Sequence, residues 1–207
     1  MYPFYAAGIE FFSHLIINIL KMIQTYSLAF IPSDTVIDFV KEMKNKLATE
    51  IGWFHSKNAL AHITVCEFKI EETALTRIEQ QLTQIANGIK PVTVVLDAFD
   101  NYPNGAFFIS PNENSKRELK EIMKQFNMRL KIPNSYKSND PHLSIARKLD
   151  SEQLAKANTL FTAEPITFNC NSISLRKLNL EIKQFEIVTT FYFNDKGFSE
   201  SIQTSLF

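Results

Sequence analysis

Apolar and polar positions along the chain alternate between the period of a strand and the period of a helix. Residues 24–31 repeat every second position, which predicts a strand, because successive strand side chains point to opposite faces. Ser33 or Asp34 can begin a helix whose apolar positions recur every three or four residues as far as Leu47. The segment 58–68 predicts the next strand. A second helix with apolar positions between 75 and 85 then ends at Asn87-Gly88.

The same order of elements returns in the second half of the chain. The predicted elements are two strands of a hairpin (92–99 and 106–110), a helix (about 115–130), a strand in the segment 139–149, a helix that begins at Asp150, and a closing antiparallel pair of strands (166–175 and 185–193). Gln153, three residues after Asp150, completes the pattern of a capping box. This duplicated layout predicts an α+β fold of two pseudo-symmetric lobes.

The N-terminal segment 1–21 differs from the rest. It is apolar, but Glu10, His14 and Asn18 interrupt it and no basic residue precedes the apolar run, so it makes a poor signal peptide and a poor membrane span. Met22 stands directly before the first predicted strand. We therefore predict one domain over 22–207, with 1–21 either an extra packing helix or the product of a start site assigned too far upstream.

Composition limits the partners that this chain can take. The 22 lysines and arginines balance the 22 aspartates and glutamates, so an anionic ligand needs a local cluster of cations rather than a general basic field. Cys66 and Cys170 have no disulfide or C-x-x-C spacing, which favours reduced thiols in a cytoplasmic protein. The four histidines lack the short spacing of zinc ligands, and we expect no metal.

Two of the four histidines occur in the same short pattern. His62-Ile63-Thr64-Val65 and His142-Leu143-Ser144-Ile145 both read histidine, apolar, hydroxyl, apolar. Residues i and i+2 of a strand share a face, so each segment presents an imidazole beside a hydroxyl while its apolar residues enter the core. If the two strands face each other across a groove, two imidazoles and two hydroxyls surround one small space.

That set of groups suits acid–base chemistry at a phosphate. Imidazole titrates near neutrality, so one ring can take a proton from water while another donates a proton to a leaving oxygen. Two hydroxyls can donate to the non-bridging oxygens of a phosphate and stabilise the charge that develops there. The pattern therefore indicates attack on a phosphodiester, especially a strained cyclic one, without a metal or another cofactor.

At these motifs the chain resembles the two-histidine phosphoesterase superfamily, whose signature is a pair of His-x-Thr/Ser-apolar motifs. The resemblance spans about 24–193 and is best to the LigT-like branch of 2′-5′ RNA ligases and RNA 2′,3′-cyclic phosphodiesterases. It implies a bilobal α+β fold in which two mostly antiparallel sheets face each other across a central groove, with helices packed outside. Trp53 upstream of the first motif and Arg147, three residues after the second hydroxyl, also fit the family.

The resemblance further implies a substrate and roles for four residues. The substrate is the 2′,3′-cyclic phosphate of RNA ends or nucleotides, with reversible 2′-5′ ligation as a related activity and no obligate protein or membrane partner. His62 and His142 become the acid–base pair and Thr64 and Ser144 the phosphate-binding hydroxyls. The family leans towards His142 activating water and His62 protonating the leaving ribose oxygen, a direction that these residues alone leave open.

Three points stay open at this stage. Arg147 lies an odd number of residues from His142, so on a regular strand it faces away from the motif, and it contacts phosphate only if the strand twists or ends first. The substrate could be another small cyclic nucleotide, as in related branches. A non-catalytic module that binds a nucleotide phosphate is the alternative from a different functional class, although such a module needs no matched acid and base.

Overall fold

A computed structural model describes residues 23–132 and 135–198 of the chain. These form nine strands and four α helices: β1 (Ile23–Phe30), α1 (Asp34–Ile51), β2 (Ile63–Glu71), a short 3₁₀ helix (Glu72–Ala74), α2 (Leu75–Gly88), β3 (Val92–Tyr102), β4 (Ala106–Pro111), α3 (Glu113–Arg129), β5 (Tyr136–Lys137), β6 (Leu143–Ala146), α4 (Ser151–Leu160), β7 (Ile166–Cys170), β8 (Ser172–Asn179) and β9 (Gln184–Tyr192). The alternatives for 1–21 concern a segment outside the described residues. None of the four helices has the length and apolar character needed to cross a membrane.

The strands form one antiparallel sheet in the order β7-β3-β4-β6-β2-β1-β8-β9, with β5 pairing with β2 off this path. The predicted α+β class is confirmed, but the two expected sheets are halves of a single sheet. The halves join at the pair Ile63–Leu143, between β2 and β6. Because β6 begins at Leu143, its antiparallel pairing with β2 stops there, and β2 continues alongside β5 instead.

The inner strands of the two halves repeat one arrangement. From the centre outwards one half runs β2-β1-β8-β9 and the other runs β6-β4-β3-β7. Each inner pair of strands is joined through a helix, as β1-α1-β2 and as β4-α3-β5-β6, and a further helix follows each innermost strand. The duplicated layout predicted from the sequence is confirmed, and it brings corresponding segments together at the centre of the sheet.

The closing strands differ from the prediction. The segment 166–175 is two strands rather than one, because the chain leaves the sheet at Asn171 and crosses to the other half. β7 pairs with β3, whereas β8 pairs with β1 and β9. Apolar and polar residues alternate on both sides of Asn171. This alternation cannot show that the two segments pair with different strands.

Helix positions follow from apolar stripes and caps. The predicted stripes are buried in one core with the sheet, through residues that include Val40, Leu47, Leu82 and Phe126. Helix α3 begins two residues earlier than predicted, since the Asn112 side chain accepts a hydrogen bond from the Ser115 backbone at 2.9 Å. The capping box predicted for α4 is present, with reciprocal bonds between Asp150 and Gln153.

The turn between β3 and β4 is held against the chain that follows β6. Gly105 has a φ of 79°, and its carbonyl oxygen accepts a hydrogen bond from the Leu149 backbone at 2.9 Å. A Cβ at this position would collide with the Leu149 carbonyl oxygen. Gly52 has a similar φ of 77°, but a Cβ there would have no heavy atom within 4 Å. Alanine substitutions at Gly52 and Gly105 therefore separate the cost of the backbone conformation from the cost of a steric contact.

We expect Gly52→Ala to lower the free energy of unfolding by about 2 kcal/mol, because its φ of 77° and ψ of −161° lie in a region that is essentially restricted to glycine. Gly105→Ala also places a side chain at a positive φ and must open the contact with Leu149, so we expect a larger loss of about 3 kcal/mol. Urea unfolding of the two variants beside the wild type measures both values. Equal losses would show that the turn does not depend on this close approach.

Candidate active site

The two motifs meet where the half-sheets join. His62 and His142 are the residues directly before β2 and β6. Because these strands are antiparallel, the Ile63–Leu143 pair sets the two histidines on a diagonal, with His62 across from Ser144 and His142 across from Thr64. Together with Thr64 and Ser144 they line one cavity of about 360 Å³. The apolar residues that alternate with them, Ile63, Val65, Leu143 and Ile145, are fully buried. The structure thus brings all four motif residues to one cavity.

Each imidazole is held by a hydrogen bond of the same kind, from its Nδ1 atom to a backbone carbonyl oxygen. Nδ1 of His62 donates to the Leu60 carbonyl oxygen at 2.6 Å, and Nδ1 of His142 donates to the Asp140 carbonyl oxygen at 2.9 Å. Because a carbonyl oxygen only accepts, Nδ1 carries the hydrogen in each neutral ring. Nε2 of each ring is then the atom that can take up or release a proton.

The two rings differ in their electrostatic surroundings. Burial, followed by the positive charge of Arg176, lowers the pKa of His62 to about 3, against the opposing effect of its bond to Leu60. Burial also lowers the pKa of His142, but the carbonyl and the carboxylate of Asp140 act in the opposite direction. His62 is therefore the ring that resists protonation, and His142 has an acidic neighbour that favours it.

A bulge in β2 decides which side chain follows Thr64 into the cavity. Thr64 pairs with Ala29 and Cys66 pairs with Leu28, so Val65 is an extra residue on β2. The alternation of faces reverses at this point. Cys66 is consequently buried, with its pKa raised to about 12 by burial, rather than on the histidine face. Glu67 lines the cavity instead, which the simple alternation of the sequence missed.

Arg147 reaches the cavity because β6 ends before it. The strand stops at Ala146, and the Arg147 backbone N–H donates to the His55 carbonyl oxygen at 3.1 Å. The arginine is exposed, yet it lines both the motif cavity and the adjoining one. The sequence left open whether Arg147 faces away from the motif or towards it. In the structure Arg147 lies at the groove, beside both motifs.

A polar and aromatic group packs around His142 and was not assigned to the site from the sequence. Tyr102 lies edge-on to the imidazole, with ring centres 5.4 Å apart, and its hydroxyl donates to the Asp140 carboxylate. Lys116 forms an ion pair with the same carboxylate at 3.1 Å, and Phe108 lies 4.7 Å from the imidazole between ring centres. These contacts orient the ring and set the charge beside it.

The loop that leads to His62 is tied to helix α1. Lys44 is 2% exposed, and its ammonium donates to the carbonyl oxygens of Ala59 at 2.7 Å and Ser56 at 3.2 Å. Burial lowers its pKa to about 8. A lysine within the apolar stripe of a helix is the signal that could have marked this residue, because a buried ammonium needs partners.

The described parts of the chain contain no cluster of side chains that could bind a metal ion. No group of three or more histidine, cysteine, aspartate or glutamate side chains is arranged there to hold an ion. The groups at the cavity are imidazoles, hydroxyls, a carboxylate and cations, and these can transfer protons and bind a phosphate.

A family comparison identifies the chain as a member of the two-histidine phosphoesterase superfamily. Residues 32–180 match the model of the 2′-5′ RNA ligase superfamily, and the chain belongs to this family. No curated protein matches the sequence significantly.

Solved structures agree with this assignment at the level of the fold. E. coli LigT complexed with 3′-AMP superposes with a TM-score of 0.60 at 11% identity, over 83% of this chain and 98% of LigT. The protein TT0787 of Thermus thermophilus superposes with a TM-score of 0.54 at 16% identity, over 83% of this chain and 99% of TT0787. The sheet described above is thus the LigT-like fold that the motifs predicted.

Removal of either of two charges beside His142 should shift the pKa of this histidine, and the two shifts should have opposite signs. Asp140→Asn keeps the carbonyl that holds the ring but removes a negative charge, so the pKa of His142 should fall further. Lys116→Gln removes a positive charge and should raise that pKa. NMR titration of the imidazole resonances measures both without any substrate. Shifts of the same sign in the two variants would contradict this account of the site.

Proposed function

We propose that the protein is a metal-independent phosphodiesterase that opens the 2′,3′-cyclic phosphate of RNA ends or nucleotides. The observation that carries the proposal is the pair of imidazoles whose Nδ1 atoms are bonded to backbone carbonyls, while two hydroxyls share their cavity. Family membership supports the reaction class, and the nucleotide in the LigT complex supports a nucleotide ligand.

The reaction needs one proton taken and one proton given. A water oxygen attacks phosphorus as a neutral imidazole accepts its proton, and a bond from phosphorus to a ribose oxygen breaks as the protonated imidazole donates to that oxygen. Thr64 and Ser144 donate to the non-bridging oxygens, and Arg147 neutralises part of their charge. If a ribose 5′-hydroxyl replaces water, the same groups perform 2′-5′ ligation, and the two histidines exchange roles in the reverse direction.

Electrostatics support His62 as the base and His142 as the acid during hydrolysis. Burial and the nearby cations lower the pKa of His62 and keep it neutral, whereas Asp140 opposes the lowering effect of burial on the pKa of His142. This assignment reverses the direction implied by the family resemblance. The two directions predict different results for a substrate whose leaving group needs no proton.

Loss of either histidine should lower kcat/KM for a nucleoside 2′,3′-cyclic phosphate by about 10³-fold, because each removes one proton transfer. Thr64→Ala and Ser144→Ala should cost about 10–100-fold, since one phosphate contact remains in each. His55→Ala is the matched control, an exposed histidine near the cavity, and should stay close to wild type. All assays contain EDTA. Full activity in both histidine variants would contradict the mechanism, and loss of wild-type activity in EDTA would indicate a metal.

A substrate with a better leaving group tests which histidine acts as the base and which acts as the acid. On thymidine 3′-(4-nitrophenyl phosphate), whose phenolate leaves without protonation, His142→Ala should keep a far larger fraction of wild-type activity than it keeps on the cyclic phosphate. His62→Ala should be equally impaired on both substrates. The opposite pattern would make His142 the base, as the resemblance implies.

The pH profile follows from the two lowered pKa values. The active form has His62 neutral and His142 protonated, so kcat/KM rises as pH increases through the pKa of His62 and falls as pH increases through that of His142. Because the pKa of His142 lies below its ordinary value of 6.5, the optimum for kcat/KM should lie below pH 6.5. A bound phosphate anion raises both pKa values, so the kcat profile should lie at higher pH. A kcat/KM that still increases above pH 7 would contradict the assignment.

The alternative of a non-catalytic phosphate-binding module predicts a different outcome for the same proteins. It predicts nucleotide binding by the wild type with no turnover of any cyclic phosphate. The matched tautomers of the two rings favour the enzyme, since binding alone does not need a proton acceptor on both sides of one cavity. Turnover of another small cyclic nucleotide in preference to a 2′,3′-cyclic phosphate would keep the mechanism and change the substrate.

A further inference from the structure

A second and larger cavity adjoins the motif cavity on the side of His62. Its volume is about 880 Å³, and it shares His62, Glu67 and Arg147 with the smaller one. The charged side chains of its lining are four cations and one carboxylate: Arg147, Lys148, Arg176 and Lys183 against Glu67. A nucleotide that presents one phosphate to the histidines would therefore leave a positively charged space beside it.

Arg176 is the unusual member of this lining, because it is a buried cation. It lies on β8 opposite Ser27 of β1, which in turn lies opposite Glu67 of β2. Only 2% of Arg176 is exposed, and the residue still lines the larger cavity. One guanidinium N–H donates to the Ser27 hydroxyl at 2.8 Å, while the Nε atom has no hydrogen-bond partner.

Burial without an ion pair is costly for a charge, and Arg176 is compensated only in part, by the Ser27 hydroxyl and by the longer-range charge of Glu67. Among residues 23–132 and 135–198, no carboxylate lies within 4.0 Å of its guanidinium. Lys44, the other buried cation near the site, donates to two backbone carbonyls and is satisfied in that way. The two residues are both buried, but only Arg176 retains an unpaired donor beside a cavity.

Phe185 limits where a ligand can meet this arginine. Its ring lies over the guanidinium, 5.2 Å from ring centre to the central carbon, and also lines the cavity. The ring packs against the guanidinium, and the N–H groups that are not bonded to Ser27 remain for a ligand. The planar fork of arginine matches the paired oxygens of a phosphate, which a lysine at this position would not.

We propose that Arg176 binds a second phosphate group of the substrate, next to the phosphate that reacts between the two histidines. The inference rests on the proposed function for the identity of the first phosphate. A ribose whose 2′ and 3′ oxygens carry the cyclic phosphate has only its 5′ oxygen left for another. The substrate is therefore a nucleotide with a 5′-phosphate group, either the phosphodiester that continues an RNA chain or a terminal 5′-phosphate.

Substrate pairs that differ in this one phosphate test the proposal. We expect wild-type kcat/KM to be at least tenfold higher for the dinucleotide UpU with a terminal 2′,3′-cyclic phosphate than for uridine 2′,3′-cyclic phosphate. In Arg176→Gln the ratio between the two substrates should fall to about one. Uridine 2′,3′-cyclic phosphate with a 5′-monophosphate is the third substrate. If it matches the dinucleotide, a terminal phosphate suffices; if it does not, the phosphodiester of a chain is the ligand.

Lys177→Gln is the matched control. It removes one positive charge from the next residue of β8, whose ammonium pairs with Glu72 at 3.1 Å and which does not line the cavity. Its substrate ratio should equal that of the wild type. Arg176→Lys retains the charge and loses the fork, so it should keep only part of the preference. This variant also serves if Arg176→Gln does not fold.

Binding of product analogues separates this proposal from the proposed function. Calorimetry should give UpU with a 3′-terminal phosphate at least tenfold tighter binding to wild type than uridine 3′-monophosphate, and Arg176→Gln should lose that difference. If no cyclic phosphate is hydrolysed but the binding difference holds, the proposed function fails and the second phosphate site stands. If hydrolysis occurs without any preference for a second phosphate in wild type, or with a preference that Arg176→Gln retains, the second site is overturned.

Discussion

Ile63 and Leu143 pair across the centre of the sheet, and the active site depends on that contact. Each is flanked by the histidine and the hydroxyl of its own motif, so one backbone pairing brings four functional side chains to one cavity. The rest of the fold supports this junction from both sides, with three further strands in each half of the sheet. The repeated inner strands are therefore also the means by which one chain brings two copies of the motif to one cavity.

The same geometry explains why two chemically identical residues can act differently. Each ring is held by a carbonyl two residues before it, which sets the tautomer, but the side chains around the rings are not symmetric. Arg176 lies near His62, and Asp140 lies beside His142. This difference in charge, rather than a difference in the motifs, is the basis on which we propose that one ring accepts a proton and the other donates one.

Local pattern predicted most of the fold because the elements that matter have strong periodicity. The helix stripes, the capping box at Asp150 and the alternation around both histidines are local properties, and the structure confirms them. What the sequence could not reveal depends on pairing between distant strands. The bulge at Val65 exchanges Cys66 for Glu67 at the cavity, and the break at Asn171 sends its two flanking strands to different halves. Arg176 belongs to the same class, because its contacts come from β1 and β9.

A crystal structure of the protein with a nucleoside 2′-monophosphate would show directly whether both motifs hold one phosphate. We expect one phosphate between the two motifs, with its oxygens at about 2.6–3.2 Å from Nε2 of both His62 and His142 and within reach of the Thr64 and Ser144 hydroxyls. A phosphate bound away from the histidines, or held by only one motif while the other faces solvent, would contradict it.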